Sequence, residues 1–193
     1  MESLEQRIVK EGRIIDNRVL KVDGFLNHQI DPALLLEIGK EFADRYKNCG
    51  IQRIITIESS GIAVAFATAI AMENIPIVFG RKKKSILMTD EVYHSSVYSY
   101  TKEETYEVTI SKKFLLPGET VLILDDFLAS GEAAISIASL AEKAHCKVAG
   151  IGIVIEKSFQ PGRSRLEKLG YRIESLARIA KFENNKPIFL EGN

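Results

Sequence analysis

Short apolar runs alternate with amphipathic stretches over most of the chain, and each pattern predicts one kind of element. Four runs predict buried strands at residues 53–57, 75–79, 121–124 and 148–155, and helical periodicity follows two of them at about 62–72 and 131–143. The runs are apolar at consecutive positions, as in strands that are covered on both faces. The pattern therefore predicts an α/β domain with a central parallel sheet flanked by helices.

The N-terminal segment carries weaker signals. Ser3 followed by Gln6 forms a capping-box pattern, and Gly12 can end the helix that it begins, so we expect a short accessory helix. Apolar residues between positions 14 and 22 flank Asp16-Asn17, whose side chains favour turns. A small strand or hairpin is therefore predicted there.

An amphipathic helix is predicted after Asp31. This aspartate can cap the helix and Pro32 suits its first turn, while Leu35, Ile38 and Phe42 recur at helical spacing. The pattern ends near position 50, ahead of the first predicted buried strand.

One segment interrupts the alternation of strands and helices. Residues from about 85 to 106 are rich in Ser, Thr and Tyr and follow neither the helical nor the strand period. The segment is too long for a routine connection, and such insertions in regular domains are commonly functional or mobile. We therefore expect a flexible lid, built as a loop or a hairpin.

Composition and charge exclude several classes of protein. The chain has 193 residues, of which 46% are hydrophobic and 27% charged, as is typical of a single folded domain. Twenty-six basic residues balance twenty-six acidic ones, which argues against a nucleic-acid partner held by broad electrostatic attraction. Any anion site must therefore be local.

Cysteine usage and hydropathy indicate the compartment. Cys49 and Cys146 lie far apart and without metal-ligand spacing, so neither a disulfide framework nor a zinc site is predicted. The N-terminus is charged, and no apolar run approaches the roughly 20 residues that cross a bilayer. We expect a cytoplasmic protein with reduced thiols and no membrane association.

The most informative stretch is VLILDDFLASGEAAISIASLAEKA. A buried strand runs directly into Asp125-Asp126, and a turn of small residues, Ala129-Ser130-Gly131, then leads into a helix. Such a junction presents unpaired backbone N–H groups to an anion, while two carboxylates accept hydrogen bonds from a vicinal diol or help to hold a hydrated cation. Together they indicate a ribose 5-phosphate. The alternative is that the two aspartates merely end a strand in solvent.

This stretch resembles the 5-phosphoribosyl pyrophosphate (PRPP) signature of the type I phosphoribosyltransferases. The resemblance implies a parallel sheet with a hood, and transfer of the phosphoribosyl group from PRPP to a nitrogen nucleophile with Mg²⁺ bound to the donor. Asp125 and Asp126 would hold the ribose hydroxyls. The 5-phosphate would be cradled by the five residues Ala129, Ser130, Gly131, Glu132 and Ala133. Glu132 departs from the small residue common in the family and can offer its N–H only if its carboxylate turns away from the anion.

A second junction resembles the pyrophosphate loop of the same family. Glu58-Ser59-Ser60-Gly61 follows the first buried strand and precedes a helix, although a plain turn has the same composition. The basic run Arg81 and Lys82 to Lys84 follows the next strand, where positive charge can meet a leaving group. We favour Arg81, which is nearest the strand end, and expect part of this run to be solvated surface.

The lid carries Tyr98-Ser99-Tyr100. By the resemblance, a hood closes over the reacting centre and excludes water, and these tyrosines would take part, unless they are ordinary packing residues. No residue stands out as a necessary nucleophile or general base.

The acceptor is indicated outside the PRPP signature. Lys157 follows the last predicted strand and stands two residues before Phe159, so a cation can meet a carbonyl while the ring stacks on a heterocycle. This pair favours an oxopurine, although a surface lysine beside a half-buried phenylalanine is the commoner arrangement. The segments VLKVDGFLNHQIDP, TIESSGIA and GIGIVIEKSFQPGR are similar to those of bacterial family members that use xanthine. By that resemblance Leu20 and Asn27 join the base pocket.

The resemblance also implies the overall organisation. We expect one domain over residues 1–193, in which residues 1–30 form the hood and base-pocket segment and residues 31–193 form the core, and a homodimer as the assembly. His28, a single histidine without a visible partner, is interpreted as structural.

Alternative functions remain open from the sequence. A regulator of the same fold could sense PRPP without turning it over. We would expect such a protein to carry a separate DNA-binding domain or a basic face, and this short, neutral chain shows no room for the former. A dinucleotide-dependent oxidoreductase is disfavoured because Gly150 and Gly152 are not followed by the third glycine of the dinucleotide fingerprint. Guanine or hypoxanthine could replace xanthine as the acceptor.

Overall fold

A computed structural model describes residues 1–82, 91–99 and 104–190. A π-helical turn spans Asp23–Asn27 and a 3-10 turn spans Lys112–Phe114. The other elements are, in chain order, α1 (Glu2–Glu11), β1 (Arg13–Ile15), β2 (Val19–Lys21), α2 (Pro32–Tyr46), β3 (Arg53–Ile57), α3 (Gly61–Ala71), β4 (Ile77–Gly80), β5 (Val92–Ser99), β6 (Glu104–Ser111), β7 (Thr120–Leu128), α4 (Glu132–Lys143), β8 (Lys147–Lys157), α5 (Gly162–Lys168), β9 (Ile173–Glu183) and β10 (Lys186–Phe189).

The central sheet has six strands in the order β10-β9-β8-β7-β3-β4. The strands from β9 to β4 are parallel to one another, and β10 runs antiparallel at the edge. Mid-strand residues such as Ile54, Ile55 and Ile153 are fully buried. This confirms the predicted α/β class with a mostly parallel sheet, because consecutive apolar residues are needed where both faces are covered.

Helices cover both faces of the sheet. On one face α1, α2 and α3 pack over side chains such as Ile54 and Leu122. On the other face α4, α5 and β6 pack over their neighbours Ile55 and Ile123. None of the helices that the structure describes is long and apolar enough to cross a membrane.

Strand β7 is longer than the apolar pattern predicts. The predicted strand stops at Leu124, whereas β7 continues through Asp125 and Asp126 to Leu128. The reason is that β8 keeps pairing with it: Asp125 lies opposite Ile153 and Leu128 lies opposite Glu156. The acidic pair therefore sits within the last part of a strand, not in a loop beyond it.

The hairpin β9–β10 and the helix α5 were not predicted from the sequence. A two-residue turn joins the two strands, with Asn184 at φ 50° and Asn185 at φ 55°. Asparagine is the non-glycine residue that best tolerates such left-handed conformations, so the Asn-Asn pair was an available signal. The hairpin places β10 along the open edge of β9.

The first helix differs from its prediction in two respects. It begins at Glu2 with Met1 at the N-cap, so the predicted capping box is wrong, and the Ser3 hydroxyl instead donates to Glu37 Oε2 at 3.0 Å. Gly12 does end the helix. Leu4 and Ile8 are almost completely buried, so the helix belongs to the core rather than being accessory.

The predicted hairpin near Asp16-Asn17 and the predicted helix after Asp31 are confirmed. The hairpin β1–β2 turns at Asp16 and Asn17, which have φ of 51° and 49°. Asp31 caps α2, since its Oδ1 accepts hydrogen bonds from the N–H groups of Ala33 at 3.0 Å and Leu34 at 3.2 Å. The apolar face of α2 is buried in the core.

The segment that interrupts the regular alternation contains an antiparallel hairpin of β5 and β6. Of the two forms left open by the sequence, the structure shows the hairpin. Tyr98 and Ser99 lie at the end of β5, whereas Tyr100 lies outside the described residues. The role of this segment as a lid stays a prediction.

Candidate active site

Three loops meet at one edge of the sheet. Strands β8, β7 and β3 are adjacent and parallel, so their carboxyl ends lie side by side. The segments after these strands, at about 158–162, 129–131 and 58–60, are therefore neighbours in space. This is the edge at which parallel α/β sheets bind their ligands.

The acidic pair is the centre of this edge. Asp125 and Asp126 are each only 7% exposed. The Asp126 N–H donates to Asp125 Oδ1 at 3.0 Å, and Asp126 Oδ2 accepts a hydrogen bond from Asn27 Nδ2 at 3.3 Å. The sequence analysis placed Asn27 in the base pocket, and the structure brings its amide within reach of the acidic pair.

The acidic pair is poorly solvated. Burial raises the pKa of Asp125 well above its ordinary value, and the neighbouring Asp126 carboxylate raises it further, while the positive charge of Lys82 acts in the opposite direction. A carboxylate deprived of water gains from hydroxyl donors or a cation. The pair is therefore suited to a diol, as its residue types indicated.

The small-residue turn after β7 leads directly into α4. Gly131 has φ +86°, a left-handed conformation that most side chains avoid. A Cβ at this position would lie 3.0 Å from the Cα of Gly162, so the loop also packs closely on the next loop. The first N–H groups of α4, from Glu132 and Ala133, have no acceptor within their own helix and can bind an anion.

Arg165 of α5 engages the Glu132 side chain in an ion pair. The same guanidinium nitrogen, Nη1, donates to the backbone carbonyl of Ser130 at 2.8 Å. Glu132 was the position at which the sequence departs from the family pattern, because its carboxylate would repel a phosphate. In the structure this carboxylate is held by a cation from another element.

The loop after β3 lies directly against the acidic pair. It contains Ser59 and Ser60 and leads into α3 at Gly61. A Cβ on Gly61 would lie 2.1 Å from Thr56 Oγ1 and 3.3 Å from Asp125 Oδ1, so a larger residue does not fit. The start of α3, just after this loop, therefore packs closely against Asp125 at the end of β7.

The basic run after β4 is only partly described. Arg81 forms a backbone bridge with Thr109 on β6, and its guanidinium lies 5.6 Å from the centre of the Phe79 ring. The residue whose charge acts on Asp125 is Lys82, which the sequence analysis ranked below Arg81. Lys83 and Lys84 lie outside the described residues.

Tyr106 on β6 is a site residue that sequence reasoning missed. Burial raises the pKa of its phenol, and the charge of the nearby Asp125 raises it further. Lys82 Nζ lies 5.6 Å from the centre of this ring. The tyrosine-rich composition of the segment was the available signal, but it did not single out Tyr106.

Lys157 lies at the end of β8 in an aromatic setting. Its Nζ lies 6.0 Å from the ring centre of Phe127 and 5.8 Å from that of Phe182, and it donates to the Arg18 carbonyl at 3.3 Å. Burial lowers the pKa of this lysine. Phe159, which is 46% exposed, packs edge-on against Phe182 with 5.3 Å between the ring centres.

Leu20, unlike Lys157 and Phe159, is buried in the core. It lies on β2 opposite Ile14 and is buried in the core cluster under α1 and α2. The sequence alone gave a core leucine as the ordinary interpretation, and the burial agrees with it. Its part in a base pocket stays a prediction, whereas Asn27 is exposed and reaches Asp126.

The geometry of this edge agrees with a comparison to known protein families. Residues 28–185 match the model of the phosphoribosyl transferase domain. The chain belongs to this family.

Curated relatives of this phosphoribosyltransferase match it over almost its whole length. A protein from Exiguobacterium sp. is 55% identical over 99% of this chain and 98% of its own, and is named xanthine phosphoribosyltransferase. A protein of the same name from Listeria innocua is 54% identical over 99% of both chains. The match includes the N-terminal residues that precede the family model.

Solved structures of more distant proteins share the fold. The adenine phosphoribosyltransferase from Thermoanaerobacter pseudethanolicus superposes with a TM-score of 0.74 at 23% identity, covering 91% of this chain and 99% of that one. The adenine phosphoribosyltransferase from Rhodothermus marinus gives a TM-score of 0.75 at 21% identity, covering 93% and 100%. At this identity the likeness shows the type I phosphoribosyltransferase fold.

The phosphoribosyltransferase chain also contains a buried carboxylate that sequence reasoning missed. Glu156 precedes Lys157 on β8 and is 0% exposed. Burial alone would raise the pKa of Glu156, but hydrogen bonds from Arg163, Ser158 and Ser175 outweigh it and lower the pKa. Glu156 thereby ties the end of β8 to α5 and β9, and so fixes the strand end from which Lys157 projects.

Proposed function

We propose that the protein transfers the 5-phosphoribosyl group of PRPP to xanthine, giving xanthosine 5′-monophosphate and pyrophosphate. One observation carries the proposal. The buried pair Asp125 and Asp126, the small-residue turn at 129–131, and Lys157 with its neighbouring aromatic rings all lie at one edge of the sheet. Relatives at 50–55% identity over nearly the full chain bear the name of this activity. Such an enzyme is a pentosyltransferase.

Each part of the donor has a matching group at this edge. Asp125 and Asp126 accept hydrogen bonds from the two ribose hydroxyls. The 5-phosphate is bound by the hydroxyl and N–H groups of the loop formed by Ala129, Ser130, Gly131, Glu132 and Ala133. Ser59 and Ser60, with the positive charge supplied by Arg81 and Lys82, face the pyrophosphate. The pyrophosphate assignment is supported by the close approach of Gly61, which follows Ser59 and Ser60, to Asp125.

The donor set fits a magnesium ion carried by the substrate. Among the described residues no group of three or more potential metal ligands is assembled. Mg²⁺ commonly keeps several waters and uses one or two carboxylates together with substrate phosphate oxygens, and Asp125 and Asp126 provide such carboxylates. When bound, the ion supplies positive charge to the departing pyrophosphate.

The residues of the chain act by binding and orienting rather than by covalent chemistry. The bond between ribose C1 and the pyrophosphate oxygen breaks while a purine nitrogen forms a bond to C1. The acidic pair fixes the ring, the two loops hold its ends, and the hairpin β5–β6 is the element that would exclude water from the reacting sugar. The purine supplies the nucleophile; its N–H proton either has already been lost in the xanthine anion or passes to the departing pyrophosphate, so no general base from the chain is required.

Lys157, Phe159 and Asn27 favour xanthine as the acceptor. The Lys157 ammonium can pair with a carbonyl of an oxopurine, or with the anion that xanthine readily forms, while Phe159 offers a ring face for stacking. The Asn27 amide provides both a donor and an acceptor for the purine edge. Leu20 belongs to the core cluster against which Phe127 and Phe182 pack, and it would support the pocket from that side.

A competition assay tests the proposed reaction. Xanthine, guanine, hypoxanthine and adenine are offered together with PRPP and Mg²⁺, and nucleotides and pyrophosphate are quantified by chromatography. We expect xanthosine 5′-monophosphate as the main product with one pyrophosphate per nucleotide. PRPP binding without pyrophosphate release for any purine would favour a regulator, and a different main nucleotide would reassign the acceptor.

We further propose that the protein is a cytoplasmic homodimer. Cys49 and Cys146 are both free thiols, in keeping with a reducing compartment. Helix α3 is apolar on nearly all sides, yet Phe66 is 60% and Ile70 is 45% exposed, and a second copy would cover this stripe. Sedimentation should show a dimer that Phe66→Asp dissociates, whereas Val9→Asp, on an exposed apolar position of α1, should leave it intact. A monomeric wild-type protein would contradict the proposal.

A further inference from the structure

Arg165 joins two segments that are far apart in the sequence. It lies on α5, and its Nη1 contacts both the Ser130 carbonyl, at 2.8 Å, and the carboxylate of Glu132. Both acceptors belong to the loop that would bind the 5-phosphate. The Arg165 side chain is 37% exposed, so part of it lies at the surface.

A second contact acts on the same loop from the same side. The Gly162 N–H, at the start of α5, donates to the Ala129 carbonyl at 2.9 Å. A Cβ on Gly162 would lie 2.4 Å from this carbonyl oxygen, so the two backbones are in close contact. The carbonyls of two successive loop residues, Ala129 and Ser130, are therefore both directed at α5 and its N-terminus.

These two contacts determine the direction of the N–H groups in the loop. In a trans peptide unit the N–H of each residue points opposite to the carbonyl of the residue before it. Fixing the carbonyls of Ala129 and Ser130 toward α5 thus directs the N–H groups of Ser130 and Gly131 away from α5. These N–H groups belong to the loop that would bind the phosphate.

The ion pair adds an electrostatic effect. Glu132 is the first residue of α4, where the unpaired N–H groups attract anions. A free carboxylate at this position would compete with a phosphate for those N–H groups and would repel it. Arg165 neutralises the carboxylate and holds it beside α5.

We infer that Arg165 is a positioning residue for the donor: it orients the phosphate loop and masks the charge of Glu132, and so raises the affinity for PRPP without contacting the reacting atoms. This inference rests on the proposed function, since it assigns the loop to the 5-phosphate. It explains how a glutamate is tolerated where a small residue would serve an anion better. Arg165 acts on the donor, whereas the acceptor pocket around Lys157 does not depend on it.

The variant Arg165→Gln tests the inference in the intact protein. Isothermal titration with PRPP and Mg²⁺, without purine, should give a Kd about tenfold higher than for the wild type, and steady-state kinetics should show the same rise in the KM for PRPP. The KM for xanthine and kcat should stay within about twofold. Lys168→Gln is the matched control, because it removes the same charge from an exposed position of α5 and should leave every constant unchanged.

A second variant separates masking of charge from support of the fold. In Arg165→Gln the Glu132 carboxylate is released, so the double variant Arg165→Gln, Glu132→Gln should recover part of the lost PRPP affinity. A merely structural arginine predicts no recovery, similar losses for both substrates and a lower Tm. Either the absence of recovery or an equal loss for PRPP and xanthine would overturn the inference. If the wild type itself fails to bind PRPP, the proposed function fails, and that result is distinct because it needs no variant.

Discussion

Asn17 and Asn185 exchange two hydrogen bonds between their side chains and backbones. The Asn17 N–H donates to Asn185 Oδ1 at 3.2 Å, and the Asn185 N–H donates to Asn17 Oδ1 at 2.7 Å. Each residue lies in the turn of a hairpin, so the exchange fastens β1–β2 to β9–β10. These two hairpins supply Arg18 and Phe182, which contact Lys157. The wall of the proposed purine pocket therefore depends on this link.

Removing one side of the link should loosen the purine side of the site. Asn185→Gly keeps a residue suited to positive φ but deletes the acceptor for the Asn17 N–H, an exposed hydrogen bond contributing about 0.5–1 kcal/mol. We expect the KM for xanthine to rise about threefold and the KM for PRPP to stay constant. Asn184→Gly, in the same turn and also at positive φ, is the control. An equal effect of both variants would show that only the turn matters.

The acidic pair should be needed for transfer and not for folding. Asp125→Asn together with Asp126→Asn keeps the shape of both side chains but weakens their hydrogen bonding to hydroxyl donors. We expect kcat/KM for PRPP to fall at least about 100-fold, as for other groups that act on a developing charge, while the circular dichroism spectrum is retained. Normal turnover by this double variant would exclude the assignment of the ribose site.

The stability of the free protein should respond to Asp125 with a defined pH dependence. Because the folded-state pKa of Asp125 is raised, its ionisation opposes folding; this cost is absent in acid and complete above the folded-state pKa. Asp125→Asn should therefore have a higher Tm than the wild type at pH 7.5, and the difference should shrink as the pH falls toward about 4. Asp44→Asn, on the exposed side of α2, is the control for loss of one charge. A Tm difference independent of pH would contradict this account.

Lys157 should matter for the acceptor more than for the donor. Lys157→Met keeps the apolar stem between Phe127 and Phe182 but removes the charge, and a charged hydrogen bond contributes about 2 kcal/mol, or roughly 30-fold. We expect this loss in kcat/KM for xanthine, with PRPP affinity nearly unchanged in a binding assay. Lys157→Ala should add a loss of packing. Equal losses for xanthine and PRPP in the methionine variant would indicate a structural lysine.

The buried Glu156 should stabilise the fold at neutral pH. Glu156→Gln weakens the pair with Arg163, and we expect unfolding in urea to cost about 2 kcal/mol less than in the wild type. Because the folded-state pKa of Glu156 is lowered, its contribution is fully present above the unfolded-state pKa, which is about 4.3, and is lost as the pH falls from there through the lower folded-state pKa. Glu167→Gln removes the exposed partner of the same arginine and should cost less than about 0.5 kcal/mol.

The parallel sheet was predictable from the sequence because burial on both faces requires consecutive apolar residues. The residues 53–57 were predicted as a strand with the bounds that β3 has. The far end of β7 was not, since its last residues are polar and their strand conformation comes from pairing with β8. The local sequence of a strand does not determine which other strand pairs with it.

In the candidate site, too, features set by local sequence could be predicted, and features set by distant partners could not. The residue types at Asp125, Asp126 and the following turn indicate chemistry wherever they stand, so their grouping could be predicted. The ion pair between Glu132 and Arg165 and the contacts of Tyr106 with Lys82 join positions that are distant along the chain. Their partners are set by the packing of α5 and of the hairpin β5–β6, which carried no strong periodic signal.

The order of three neighbouring strands has a stereochemical consequence. The sheet places β7 between β8, which carries the proposed purine pocket, and β3, which carries the proposed pyrophosphate loop. In the proposed reaction the incoming nitrogen and the departing oxygen would therefore lie on opposite sides of the anomeric carbon. Displacement along that line would invert the configuration at this carbon, so the strand order would determine the stereochemistry of the product.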